Sequence, residues 1–184
     1  MQDILLSPHF SLKEMTESRA AEKHGIANVP SQQEVENLRW LCKATLEPLR
    51  EKLGLPVIIT SGYRSKALNS LLAHSSDHSQ HMQGQAADFY VAQGPGEGFM
   101  VHGSRLMVQG KGDQTPNRRE LLIKAFRLIL QDPEIDFDQL ILYPSFIHVS
   151  YVSSQANRRG ILIGRKDGKL GYGRISLSNA LKIS

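Results

Sequence analysis

Ser79-Gln80-His81-Met82-Gln83-Gly84-Gln85-Ala86-Ala87-Asp88-Phe89-Tyr90-Val91, residues 79–91, is the stretch on which the fold turns. Its second half, from Gln85 to Val91, predicts a strand. Gly84 allows a tight turn before it without the steric penalty of a Cβ. The two alanines let the chain pass close to another element. Side chains alternate along a strand, so Asp88 shares a face with Ala86 and Tyr90. An aspartate set between Ala87 and Phe89 is expensive to bury unless it is paired or bound to a metal.

A second apolar stretch, Phe146-Ile147-His148-Val149-Ser150, buries a histidine in the same way. The chain has seven histidines, most of them expected on the surface or in the core. His81 and His148 differ because of their company. Two buried polar residues in two apolar strands, with His81 one tight turn from the first, make a three-ligand set of His81, Asp88 and His148. Two nitrogens and one carboxylate oxygen suit zinc, and three protein ligands leave a fourth position open, as catalytic sites do. The competing reading is a buried Asp88–His148 hydrogen-bonded pair without metal.

Working outward, Ser11 and Glu14 fit a capping box that opens a short helix over 11–24. Ser31 and Glu34 form another, and Val35, Leu38, Leu41, Leu46, Leu49 and Leu53 carry a helix over 31–53 that Gly54 stops. Pro56 to Thr60 predicts a buried strand, followed by Gly62-Tyr63-Arg64-Ser65 and a short helix through Leu68–Leu72. Residues 93–116, with six glycines, predict a long loop or flexible hairpin. Asn117 and Glu120 cap a helix to about Leu130. Phe137–Tyr143 and Phe146–Val152 predict a hairpin around Pro144-Ser145. Gly160–Gly164 and the turn at Lys166-Asp167-Gly168 suggest one more. Helices precede strands without regular alternation, which predicts a single α+β domain over residues 1–184 around a mostly antiparallel sheet, with an insertion at about 93–116.

Composition agrees. With 184 residues, 40% hydrophobic and 22% charged, the chain has the make-up of a globular domain. The net charge of +4 is not gathered into a Lys/Arg stripe, so a nucleic-acid partner is not expected. The one cysteine, Cys42, excludes an internal disulfide and sits in an apolar helical stretch as a core thiol. No window approaches the length of a membrane span. The opening MQDILLSPHF lacks the basic and apolar regions of a secretory signal, so synthesis in the cytoplasm is expected, with delivery by other means if the substrate lies outside.

Five blocks now bear on family. Ser7-Pro8-His9-Phe10-Ser11-Leu12-Lys13-Glu14-Met15, Thr60-Ser61-Gly62-Tyr63-Arg64-Ser65, and the S-x-H-x-x-G-x-A-x-D pattern from Ser79 to Asp88 are followed by Phe137-Asp138-Gln139-Leu140-Ile141 and Ile147-His148-Val149-Ser150-Tyr151. Together they resemble the M15 zinc peptidases, the D-alanyl-D-alanine carboxypeptidase family, and most of all its M15A C-terminal domain subgroup of phage and prophage type. The resemblance implies a fold shared with Hedgehog-type domains, zinc on His81, Asp88 and His148, and peptidoglycan stem or cross-bridge peptides as substrate. It gives Arg64 contact with the substrate carboxylate or carbonyl, and Ser79 a polar role beside the ligand.

The pattern departs from the family at the proton shuttle. Many members carry an acidic residue three positions before the distal histidine, where this chain has Ser145, or elsewhere in the hairpin. Related sequences often have Glu about where Tyr143 stands. If Pro144-Ser145 is a two-residue loop, Tyr143 faces Phe146 and Ile141 faces His148, which puts Tyr143, Ile141 and Gln139 on the metal side and Asp138 on the other. Tyr143 is then a hydrogen-bond donor to a developing oxyanion, and a poor base at its ordinary pKa. Glu97 and Asp138 are the alternative bases. The competing function is a zinc-binding or structural module of a phage or mobile element that does not cleave.

Overall fold

The structure, a computed structural model, describes residues 3–72, 75–93, 117–164 and 172–183. Its centre is a six-stranded sheet in the order β3-β4-β6-β5-β7-β8. The strands are β3 Val57–Ser61, β4 Ala86–Val91, β5 Gln139–Leu142, β6 Ile147–Ser150, β7 Gly160–Gly164 and β8 Tyr172–Arg174. All neighbours are antiparallel except β5 and β7, which run parallel. The architecture is therefore α+β on a mostly antiparallel sheet, as the order of elements predicted. A two-stranded ribbon, β1 Leu5–Ser7 with β2 Phe10–Ser11, stands apart from the sheet and had no clear sequence signal.

One face of the sheet is apolar throughout. Ala87, Phe89, Val91, Leu140, Leu142, Ile147, Val149 and Ile161 are buried there. They share a single core with Leu121, Leu122, Phe126 and Ile129 of α6, Arg118–Gln131, and with leucines of α3, Gln32–Leu41, and α4, Glu47–Leu53. The opposite face carries the polar residues at the alternate positions. This division follows from strand alternation alone. The capping boxes at Ser31/Glu34 and Asn117/Glu120 both form, and Gly54 closes α4 in the left-handed conformation.

Helices α3 and α4 are continuous through one π turn at Cys42–Leu46, a feature the leucine spacing did not predict. Its cause is Pro48. Proline has no N–H to give to Ala44, four residues earlier, and its ring crowds that carbonyl. The Glu47 amide instead bonds Cys42, five residues back. The freed Ala44 carbonyl accepts from the Asp136 amide at 3.1 Å, and Thr45 Oγ1 donates to the Asp136 carbonyl at 2.5 Å. The helix defect thereby anchors the segment that leads into β5. Cys42 is fully buried in this turn, and burial pushes its thiol pKa up.

Two other expectations need correction. The helix foreseen over 11–24 is two, α1 Leu12–Thr16 and α2 Arg19–Lys23, because Ser18 takes an extended conformation and caps the second through its side chain. The strand foreseen as buried over Pro56–Thr60 is β3, an edge strand and only half-buried, and α1 packs against it. The packing of α1 covers that edge, which blunts it against outside pairing. The short helix after Arg64 is α5, Lys66–Leu71, and a last helix, α7, covers Leu177–Ala180. β7 and β8 form the second hairpin, while its turn at Lys166-Asp167-Gly168 and the insertion, from residue 94 onward, lie outside the described residues.

Candidate metal centre

The open face of the sheet brings His81, Asp88 and His148 together. Strands β4 and β6 are in register with Asp88 opposite His148, and β5 continues the row with Ile141 opposite His148. The pairing of Tyr143 with Phe146 around the Pro144-Ser145 turn is also present: the Tyr143 amide bonds the Phe146 carbonyl at 3.0 Å and the rings stack at 4.4 Å. His81 reaches the row from a 3-10 turn, Gln80–Gln83, that ends at Gly84 with φ of 66°. A Cβ on Gly84 would stand 2.4 Å from the Glu34 carbonyl oxygen. Glycine is required there for both handedness and space.

The three potential ligand atoms lie close. His81 Nε2 is 3.3 Å from Asp88 Oδ1 and 3.3 Å from His148 Nδ1, and His148 Nδ1 is 2.8 Å from Asp88 Oδ1. Tetrahedral zinc with bonds of about 2.0–2.2 Å places its ligand atoms roughly 3.3–3.6 Å apart. Two of the three separations match, and the third is that of a direct hydrogen bond.

The protonation of His81 strengthens the fit. Its Nδ1 lies 2.7 Å from the Gly62 carbonyl oxygen. A carbonyl only accepts, so Nδ1 carries the proton and the neutral ring turns a lone pair on Nε2 toward Asp88 and His148. Burial lowers the His81 pKa and favours this neutral form. A lone pair aimed at a carboxylate oxygen is unfavourable unless a cation lies between them. An imidazole held through its far nitrogen by a backbone carbonyl is the usual support of a metal ligand. Burial opposes ionisation of Asp88, but the His148 imidazole bonded to it outweighs that and holds the carboxyl far below its ordinary range. The donor set fits a metal, and these residues meet the geometry for one.

Arg64 is at the site, in a position the sequence did not foresee. Its Nη2 donates to Asp88 Oδ2 at 2.7 Å and its Nε to Ser61 Oγ at 2.8 Å. The guanidinium thus holds the carboxylate oxygen that the histidines leave. The Arg64 amide bonds the His81 carbonyl at 3.1 Å, which ties the two loops together. Ser79 begins the His81 turn, but its hydroxyl makes no capping bond.

The candidate bases separate. Ser145 is exposed in the hairpin turn. Glu97 lies outside the described residues. Asp138 is fully buried, and its carboxylate is taken by Gln80 Nε2 at 3.0 Å, by the Arg158 amide at 2.8 Å and by the Arg158 guanidinium. It also lies 3.4 Å from Ser150 Oγ, on the face that carries His148. The register had placed Asp138 on the opposite face. At the end of β5 the carboxylate instead turns toward Gln80 and Ser150, drawn by Arg158 from the loop after β6. Burial opposes its ionisation, but the Arg158 bonds prevail and bring its pKa to about 2.

Sequence reasoning missed three supports. The Gly62 carbonyl orients His81. Ser61 holds Arg64. Asn28 accepts from the Ser65 amide at 2.7 Å and donates to the carbonyls of Thr16 and Tyr63, which fixes the loop that carries Arg64. The Gly62 and Asn28 contacts span long sequence separations, whereas Ser61 lies only three residues from Arg64; Gly62, a glycine at the end of a strand, offered a local hint. A Cβ there would stand 2.3 Å from the Met15 carbonyl oxygen.

A sheet with two histidines and an aspartate gathered on its open face belongs to the class of α+β proteins with a metal-binding geometry. A family model described as Peptidase M15 matches residues 8–115, more than half of the chain, and the chain belongs to that family. The match takes in Arg64, His81 and Asp88 and ends before His148, which the sheet register supplies. No curated protein matches the chain. No helix among the described residues is long and apolar enough to cross a membrane.

Proposed function

We propose that this M15 member is a zinc peptidase acting on D-amino-acid-containing peptidoglycan peptides, with His81, Asp88 and His148 as the metal ligands. The observation that carries the reading is the neutral His81, whose Nε2 lone pair is turned to Asp88 Oδ1 and His148 Nδ1, each at 3.3 Å. Zinc at that point would supply Lewis-acid chemistry, polarising a carbonyl oxygen and acidifying water. The chain's own residues do the rest. Gly62 and Arg64 hold two of the ligands in orientation. Tyr143, on the same face as Ile141 and His148, offers a phenol to an oxyanion. Arg64 is the cation nearest the ligands for a substrate carboxylate or carbonyl, and Ser79 a polar group at the start of the His81 turn. A lysin of phage or prophage type, delivered to the wall, is the finer form of this proposal.

The test is cleavage of a D-Ala-D-Ala-ended stem pentapeptide by the zinc-loaded protein, read by mass spectrometry. Product that appears with zinc and disappears on chelation supports the proposal. One observation favours a second reading, a zinc-binding module without activity: Asp138 is committed to Arg158 and Gln80, and Tyr143 stands where related sequences often have Glu. Full zinc occupancy without cleavage of stem or cross-linked peptides would select that reading.

A further inference from the structure

The ligand-bearing row does not stop at the metal centre. Asp88 pairs with His148, His148 with Ile141, Ile141 with Leu162 and Leu162 with Arg174, so five strands present one residue each along a line across the open face. At the far end of this line a cleft of about 140 Å³ is lined by Asp138, Gln139, Arg158, Gly160, Leu162 and Arg174. Its charges are unequal in availability. Arg158 is engaged by the buried Asp138 carboxylate. Arg174 has no carboxylate partner among the described residues and is exposed, and its Nη2 lies 3.8 Å from where a Cβ of Gly160 would stand. The guanidinium therefore folds back over β7 at Gly160, whose partner in the register, Gln139, lines the same cleft.

That position has a measurable relation to the metal centre. From His148 to Gly160 is two strand spacings across, about 10 Å, and two residues along, about 7 Å, or roughly 12 Å in all. An extended chain advances at most about 3.5 Å per residue, so the span corresponds to roughly three to four residues of peptide. Resting on the peptidase reading above, we propose that Arg174, with the Gln139 amide beside it, forms a carboxylate-recognition subsite for the substrate peptide. The ligand is an acidic residue whose free carboxylate lies about three residues before the bond placed at the metal centre. A guanidinium matches a carboxylate in shape as well as charge, and an available cation on a concave polar floor selects for an anion.

The experiment compares binding of two peptides to the zinc-loaded protein by calorimetry. One is L-Ala-γ-D-Glu-L-Lys-D-Ala-D-Ala with its D-Glu α-carboxylate free, and the other is the same peptide with that group amidated. The wild type should bind the free acid about tenfold more tightly, the worth of one charge-assisted hydrogen bond at a partly solvated site. Arg174→Ala should erase the difference without changing zinc content or thermal stability, and Arg174→Lys should restore part of it. Equal binding of the two peptides by the wild type, binding of neither, or an equal loss for both in Arg174→Ala would overturn the proposal. Cleavage is followed separately. A retained preference for the acid with no cleavage refutes the peptidase reading and leaves the subsite standing.

Discussion

The carbonyl oxygen of Gly62 accepts a hydrogen bond from His81 Nδ1 at 2.7 Å. That single contact sets the tautomer of the histidine and the direction of its free lone pair. It depends on a strand end coming against a turn nineteen residues later in the chain. Gly62 is held in turn by Met15, whose backbone leaves no room for a side chain at that point.

Gly62→Ala should therefore disturb fold and site together. The added Cβ would meet the Met15 carbonyl oxygen at 2.3 Å, so a backbone must move. Gly84→Ala meets a similar obstacle at Glu34 and must also adopt a left-handed φ. We expect each to lower unfolding stability by about 2–4 kcal/mol, measured by urea denaturation. Wild-type midpoints in both variants would show that these loops yield freely.

Metal content tests the ligand set. The zinc-loaded wild type should carry about one zinc per chain, and alanine at His81, Asp88 or His148 should greatly lower occupancy, read by elemental analysis after dialysis. Full occupancy in His148→Ala would disprove the third ligand.

Arg64 should act on the metal through Asp88. Its guanidinium donates to the carboxylate oxygen that the histidines do not contact. Loss of such a supporting partner lowers metal affinity by about 10–100-fold. Arg64→Ala should show that loss in a competitive chelator titration, with Arg64→Lys intermediate. Unchanged affinity in Arg64→Ala would leave Arg64 with a role toward substrate alone.

The hairpin geometry makes Tyr143 the position for a base. It pairs with Phe146 one step beyond the strand register, so alternation puts it on the face of Ile141 and His148, while Ser145 is exposed at the turn. If a positioned carboxylate is what the site lacks, Tyr143→Glu should raise the cleavage rate, by up to about 10²-fold, and Ser145→Glu should do little. If instead Glu97→Gln abolishes cleavage with zinc retained, the base comes from the insertion and Tyr143→Glu should lower the rate.

Asp138 predicts an acid-labile support. Its pKa is lowered in the folded state to about 2, below the ordinary range of a carboxyl group. A carboxyl depressed on folding stabilises above its unfolded pKa and loses that contribution as pH falls through the folded one. Stability should therefore fall between about pH 4 and pH 2, and Asp138→Asn should flatten the curve in that window. The contribution is on the order of 1–2 kcal/mol, allowing for the exposed Arg158 partner. A variant with the wild-type acid limb would remove Asp138 from this role.

The parts of the site that were legible in the sequence rest on local pattern. Asp88 and His148 stood out as polar residues in apolar strands. The two-residue turn at Pro144-Ser145 was enough to place Ile141 opposite His148. The parts that were not legible are contacts between distant backbones and side chains: Gly62 on His81, Asn28 on the Arg64 loop, Asp138 on Gln80 and Arg158. Periodicity carries no information about such pairs. The break at Ser18 was hidden because Ser and Glu there suit a helix interior and a cap alike. The exposed edge at β3 was hidden because β-branched residues are as common on half-buried strands as in the centre of a sheet.

The Ala44 carbonyl, released by Pro48 and taken by the Asp136 amide, makes the helix a gauge for the sheet. Pro48→Ala would offer the helix a regular ladder and invite Ala44 back into it. The Asp136 amide would then be stranded two residues before Asp138. What looks like a flaw in an otherwise regular helix is thus the socket that sets how far β5 sits from it. A repair to that flaw, harmless by helix propensity, should be felt inside the sheet as a misplaced strand.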